Sequence, residues 1–230
     1  CLSGTKGAGN IFFGNCNLRC VYCQNYQISQ TWREQRKNEV THERLAEMML
    51  ELQAAGCHNI GFVSPTHFAP QIVRALVIAA ERGLALPLVY NTNAYDSLEV
   101  LRLLEGVIDV YLPDLKYADD EVALEVSKVR GYVGHARAAI EEMHRQVGDA
   151  LVLDDDGLVR RGLVIRLLVL PNDLAGLRDA GLDDVPVILG GIIPDQDAAE
   201  LMRSGIAAVF TPKDYDLTAV MARVLDVVRA

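Results

Sequence analysis

Short apolar runs without polar alternation, separated by helical segments, constrain this chain most. NIFFG (10–14), NIGFVS (59–64), LPLVYN (86–91), IDVYLPDLK (108–116) and LVIRLLVL (163–170) are such runs, each bounded by turn residues. A strand covered on both faces reads this way, and strands of parallel sheets packed under helices are covered on both faces. Between the runs, apolar residues recur at helical spacing. Residues 42–56 carry Leu45, Met48, Met49 and Leu52 and end at Gly56, and residues 70–83 open with Pro70 and close with Gly83. Pro at the start and Gly at the end are ordinary helix punctuation. Residues 97–106 and 119–147 are also helical, the second with a break near Gly131 and Gly134. The rhythm continues through strand 185–192, helix 195–205, strand 207–211 and helix 217–228. The expected fold is α/β, a partial, open βα barrel of parallel strands whose tail contributes two further βα units. In such folds ligands sit at the carboxyl ends of the strands.

Charge and cysteine usage narrow the classes of function. Against 22 Lys and Arg stand 31 Asp and Glu, a formal charge of −9. That balance disfavours nucleic acid and anionic membranes as partners of the chain as a whole. No run approaches the ~18 apolar residues of a membrane-spanning helix. No basic segment followed by an apolar one opens the chain, so no secretory signal is expected. The first residue is Cys1 rather than Met, as in a fragment or a processed product. Five cysteines is an odd number for a disulfide framework.

Three of them, Cys16, Cys20 and Cys23, fall in CNLRCVYC, just after the first expected strand. Three thiolates on one loop can ligate three irons of a [4Fe–4S] cluster, leaving the fourth iron open to a substrate or cofactor. The alternative is a structural zinc site. Zinc prefers two Cys pairs or added histidines, and Cys57, His58 and His67 are the residues a zinc site would recruit. Cys57 alone reads as a small core residue. His42, His135 and His144 lie on expected helices and read as surface residues, and Asp154, Asp155 and Asp156 before Gly157 read as a solvated turn.

The stretches GTKGAGNIFFGNCNLRCVYCQNYQIS, HNIGFVSPTHF, LVYNTNAYDSLEVLRLLEG, IDVYLPDLKY, EEMHRQVGD and RGLVIRLLVLPN resemble the radical S-adenosylmethionine (radical SAM) superfamily. More narrowly, they resemble proteins similar to the pyruvate formate-lyase activating enzyme. The resemblance covers about residues 1–174. It implies a [4Fe–4S] cluster on Cys16, Cys20 and Cys23 and S-adenosylmethionine chelated at the open iron. It also implies reductive cleavage to a 5′-deoxyadenosyl radical that abstracts hydrogen, an oxidoreductase chemistry, as in glycyl-radical activation. A protein or small-molecule substrate, an electron donor such as a flavodoxin or ferredoxin, and a reducing cytoplasm would go with it.

Positions at strand ends supply the remaining candidates. Tyr22 packs near the adenine or covers the cluster. Ser64, Thr66 and His67 stand in SPTH, where many relatives carry Gly-Gly-Glu. Asn91, Thr92 and Asn93 bind ribose or methionine groups, or are turn residues. Asp114 and Lys116 are candidate catalytic residues, or an ion pair. Arg166, inside an apolar run, needs a partner, which is either the cofactor carboxylate or a buried acid. Leu167 departs from the subgroup, where a histidine is expected.

From about residue 176 the resemblance changes. GLDDVPVILGGIIPDQDAAELMRSGIAAVFTPKDYDLTAVMARVLDVV resembles the last third of the cobalamin-binding domain of acyl-CoA mutases. Gly190 and Gly191 match its Gly-Gly loop and Thr211 ends the next strand, but the D-x-H-x-x-G cobalt-ligand motif is absent from the chain. The expected division is therefore residues 1–174, a radical SAM core, and 175–230, a partial flavodoxin-like unit. A cobalamin or nucleotide-tail binding module, or an inactive hybrid, is the alternative function.

Overall fold

A computed structural model describes residues 2–167, 188–190, 195–203, 208–210, 219 and 223. The chain divides into two compact units, Cys1–Leu168 and Val169–Ala230. In the first, β1 (Gly9–Phe12), β2 (Ile60–Val63), β3 (Leu88–Thr92), β4 (Val110–Leu115) and β6 (Val159–Leu163) are parallel neighbours in that order. A two-residue β5 (Val152–Leu153) pairs antiparallel with β6, and β7 (Arg166–Leu167) pairs with β4. The helices are α1 (Tyr26–Ser29), α2 (His42–Ala54), α3 (Ala69–Glu81), α4 (Leu98–Leu103), α5 (Asp120–Ser127) and α6 (Tyr132–Val147). In the second unit, β8 (Ile188–Gly190), α7 (Asp195–Arg203) and β9 (Ala208–Phe210) form a parallel β–α–β unit. The open βα arrangement expected from the sequence is present. The join near 170–181, Gly191, Thr211 and the expected strand ends and helix around them lie outside the described residues.

The alternation of side chains along each strand decides what each face does. Ile60, Phe62, Leu88, Tyr90 and Tyr111 share one core with Met49 of α2, Ile72 and Ala75 of α3, Leu101 of α4, and Ala139 and Met143 of α6. Their neighbours Val89, Val110 and Val159 point to the other face, where Leu2 and Leu112 pack on them. By the same period, Asn91 and Asp114 end the inner face and Thr92 ends the helix face. Gly61 is small because Asn10 lies across it: a Cβ there would sit 2.2 Å from Asn10 Oδ1.

The run 163–170 is expected as one strand; residues 168–170 lie outside the described residues, and in the part described the structure differs. It pairs with β4 as two pieces in one unbroken register, Val110↔Gly162, Tyr111↔Leu163, Asp114↔Arg166 and Leu115↔Leu167. Val164 donates to the Tyr111 carbonyl at 2.9 Å. The next rung of a parallel ladder needs an N–H at residue 113, and Pro113 has none. The expected helix 119–147 breaks at Lys128 and Gly131, both with φ near +60°, and Gly134 lies inside α6. The turn read at Asp154–Gly157 joins β5 to β6, with Asp154 accepting the Leu158 N–H and pairing with Arg160 at 2.8 Å. No helix among the described residues is long and apolar enough to cross a membrane.

Candidate active site

The cysteine loop leaves β1 at the carboxyl end of the sheet and folds back on itself. Asn15 has φ 70° and its N–H bonds the Ile28 carbonyl. The Arg19 guanidinium ties both ends of the loop, donating to the Cys16 carbonyl at 2.7 Å, Asn15 Oδ1 at 3.1 Å and the Ser29 carbonyl at 3.2 Å. The loop then docks on the end of α5. A helix leaves its last carbonyls without partners, and here Ser127 and Val126 accept the N–H groups of Arg19 (2.9 Å) and Val21 (3.0 Å). Leu18, the residue before Arg19, is buried.

Each thiol in the loop is free, half-buried and bonded to a neutral polar group. Cys16 Sγ accepts from the Leu18 N–H and Asn93 Nδ2, both at 3.5 Å. Cys20 Sγ accepts from Ser127 Oγ at 2.8 Å, and Cys23 Sγ meets Ser29 Oγ at 3.2 Å. Burial pushes the Cys16 thiol above its ordinary value; the Leu18 and Asn93 bonds oppose the shift, and repulsion from Cys20 and Cys23 adds to it. A metal displaces protons from such thiols as it binds. Among the described residues no three His, Cys, Asp or Glu side chains form a set that would hold one metal ion. Ligands of one ion crowd one point, whereas the thiolates of a cubane each meet a different iron and stand farther apart. The donor set, three thiols on one short loop, suits the cubane. The zinc recruits proposed from sequence are dispersed. Cys57 and His58 precede β2, where His58 accepts the Lys6 N–H, so four strand residues, about 13 Å, separate them from the carboxyl end.

Three successive strand ends carry a non-glycine residue in the left-handed region: Asn15, Ser64 (φ 56°) and Ala94 (φ 64°). Such backbone costs free energy and collects at functional sites. His67 follows Ser64. Its Nε2 bonds the Gly14 carbonyl at 2.9 Å, while its Nδ1 is buried without a hydrogen-bond partner. A buried polar atom left open in this way calls for a ligand or water.

The other sequence candidates separate by face. On the helix face, Thr66 and Thr92 donate to the buried Asp96 carboxylate at 2.7 and 2.5 Å, and Tyr90 joins them at 3.1 Å. Burial pushes the Asp96 carboxyl up, and the three hydroxyls hold it down in part. On the inner face, Asp114 takes Lys116 at 2.9 Å and Arg166 at 2.6 Å, and Arg166 also donates to Asn91 Oδ1 at 2.7 Å. The Arg166 side chain is 46% exposed, so it is not the buried charge its apolar run suggested: it meets Asp114 at the rim. Asn93 donates to Asn17 Oδ1 at 2.7 Å as well as to Cys16. Tyr22 bonds Tyr117, hydroxyl to hydroxyl, at 2.6 Å.

Sequence reasoning missed Asp96, Tyr117, Ser127 and Tyr132. Tyr132 Oη accepts the Lys116 N–H and lies 2.9 Å from the carbonyls of Asn93 and Asp114, bridging the ends of β3 and β4. Only Asp96, in TNAYD after a strand, carried a signal. Of the remaining histidines, His144 pairs with Asp149 and His135 bonds the Gly131 carbonyl. A cavity of about 830 Å³ opens at the starts of α4 and α6, lined by Tyr95, Glu99, Asp120 and His135 among others, and none of the three loop cysteines lines it.

The uncharacterized protein MJ0674 of Methanocaldococcus jannaschii is 32% identical over 169 residues, 71% of this chain and 45% of that protein. The chain thus spans under half the length of this relative. A 55-residue stretch is 58% identical to ethylmalonyl-CoA mutase of Cereibacter sphaeroides, covering 24% of this chain and 8% of the mutase, consistent with the mutase-like tail. Among solved structures, HydG, a maturase of the [FeFe]-hydrogenase, shares the fold with a TM-score of 0.50 and 13% identity over 87% of this chain and 55% of its own. The radical SAM superfamily model matches residues 10–154. The chain belongs to the radical SAM superfamily.

Proposed function

We propose that this chain is a radical SAM oxidoreductase of the kind that resembles the pyruvate formate-lyase activating enzyme. The observation that carries the reading is the set of three half-buried thiols on one loop at the carboxyl ends of parallel strands, each with a neutral polar partner. Cys16, Cys20 and Cys23 would hold a [4Fe–4S] cluster. The chemistry such a cluster supplies when bound is one-electron reductive cleavage of S-adenosylmethionine, with hydrogen abstraction from a protein or small-molecule substrate.

The chain's own residues prepare that chemistry. Arg19 and the end of α5 fix the loop. Asp114 balances one of the two cations Lys116 and Arg166, so the inner rim keeps one net positive charge beside Asn91, suited to the methionine carboxylate of the cofactor. Asn93 joins this rim to Cys16. His67 Nδ1 offers an open acceptor, and Ser64 sets the turn that delivers it. Thr66 and Thr92 act through Asp96, shaping the turns that carry His67 and Asn93. Tyr22 covers the loop rather than reaching outward. An electron donor such as a flavodoxin or ferredoxin and a reducing cytoplasm suit a low-potential cluster. The tail from about 175 is read as a mutase-like fragment appended to the core.

Anaerobic reconstitution tests the reading. About four irons per chain, and 5′-deoxyadenosine formed under strong reductant, are expected. C16A, C20A and C23A should each lose both. One zinc and no iron would overturn it.

A further inference from the structure

Ser127 is wholly buried, sits at the last turn of α5, and lies 107 residues from the cysteine it touches. Its hydroxyl is the middle of a chain. Tyr22 Oη lies 2.6 Å from Tyr117 Oη, Tyr117 Oη lies 2.5 Å from Ser127 Oγ, and Ser127 Oγ lies 2.8 Å from Cys20 Sγ. Each hydroxyl has one proton to give. A metal-bound thiolate has none, so it only accepts. Ser127 must then donate to Cys20, Tyr117 to Ser127, and Tyr22 to Tyr117. With Cys20 ligated, all three hydroxyl dipoles point at one sulfur, and each link strengthens the next. The chain starts at Tyr22, next to Cys23, and ends on Cys20, so it also ties this stretch of the loop to Tyr117 and the end of α5.

We infer that Ser127, backed by Tyr117 and Tyr22, is a positioning residue that sets the reduction potential of the cluster through Cys20. The inference rests on the cluster reading above. Hydrogen bonds to cluster sulfurs raise the potential, because the reduced state carries the extra negative charge. Cys16 and Cys23 have no chain of hydroxyls among the described contacts: their donors are a backbone N–H, a single hydroxyl and the Asn93 amide, backed by the Tyr95 N–H.

The test is an EPR-monitored redox titration of the reconstituted full chain. S127A should shift the midpoint negative by roughly tenfold in the reduction equilibrium, about 59 mV for one electron. S127T, which keeps the hydroxyl, should restore the unsubstituted value. Y117F, which keeps the ring but breaks the second link, should shift it the same way by less, and Y22F by less again. If S127A does not load iron, Y117F and Y22F still decide, since both leave Ser127 and Cys20 in place. Fully loaded variants with the unsubstituted potential would overturn the inference. No cluster signal in the unsubstituted protein would instead overturn the reading beneath it.

Discussion

Two carboxylates stand at the same end of neighbouring strands and live differently. Asp96, 4% exposed, meets three hydroxyls and no cation. Asp114, with 22% of its side chain exposed, meets two cations. The first lies in the turn after β3, against the helix-face hydroxyls of Tyr90 and Thr92, and the second ends the inner face of β4. Neutral donors let a buried acid join the turns after β2 and β3 without projecting charge. Paired cations let a half-exposed acid order a site that still carries net charge toward a ligand.

The largest effect that would break this comparison is at Asp96. D96A strips three hydroxyls, two of them on buried residues, of their acceptor and should cost roughly 3 kcal/mol in a denaturant melt. A loss below about 1 kcal/mol would place Asp96 with ordinary surface residues. The pH dependence sharpens the contrast. Burial raises the folded Asp96 carboxyl above its ordinary 3.8, so the unfolded chain releases that proton first. The stability Asp96 contributes is therefore full below the ordinary value and is lost as pH rises through the raised one. The stability of the unsubstituted protein relative to D96N should fall with pH across that window, and a rise would reverse the assignment. At Asp114 the expectation inverts. R166A removes a half-exposed pair and should change stability by less than about 1 kcal/mol, yet weaken S-adenosylmethionine binding to the reconstituted protein. Equilibrium dialysis reads the difference. The smallest effect is expected at the other end of the sheet, where C57S should leave iron content unchanged in an elemental assay.

The fold was legible because periodicity and punctuation are local. The runs at 59–64, 86–91 and 108–116 became β2, β3 and β4 within a few residues. Pro113 carried the break in the fifth run in plain view, but its effect needs the neighbouring register to be known. In the site, the cysteine spacing and the strand-end residues were visible, whereas their partners were not. Asn91 and Thr92 are adjacent in sequence and read alike there, and only the assignment of faces separates a rim residue from a buried hub. Ser127 sits in a helix of ordinary composition. Its role comes from a contact across 107 residues, which no local pattern encodes.

The central claim is that three thiols hold a cluster with one open iron. The EPR spectrum of the reduced, reconstituted chain, recorded before and after S-adenosylmethionine is added, tests it most directly. A change in the g-values on addition is expected, because the ligand enters the vacant vertex. A loaded cluster whose spectrum ignores the added compound would contradict the claim.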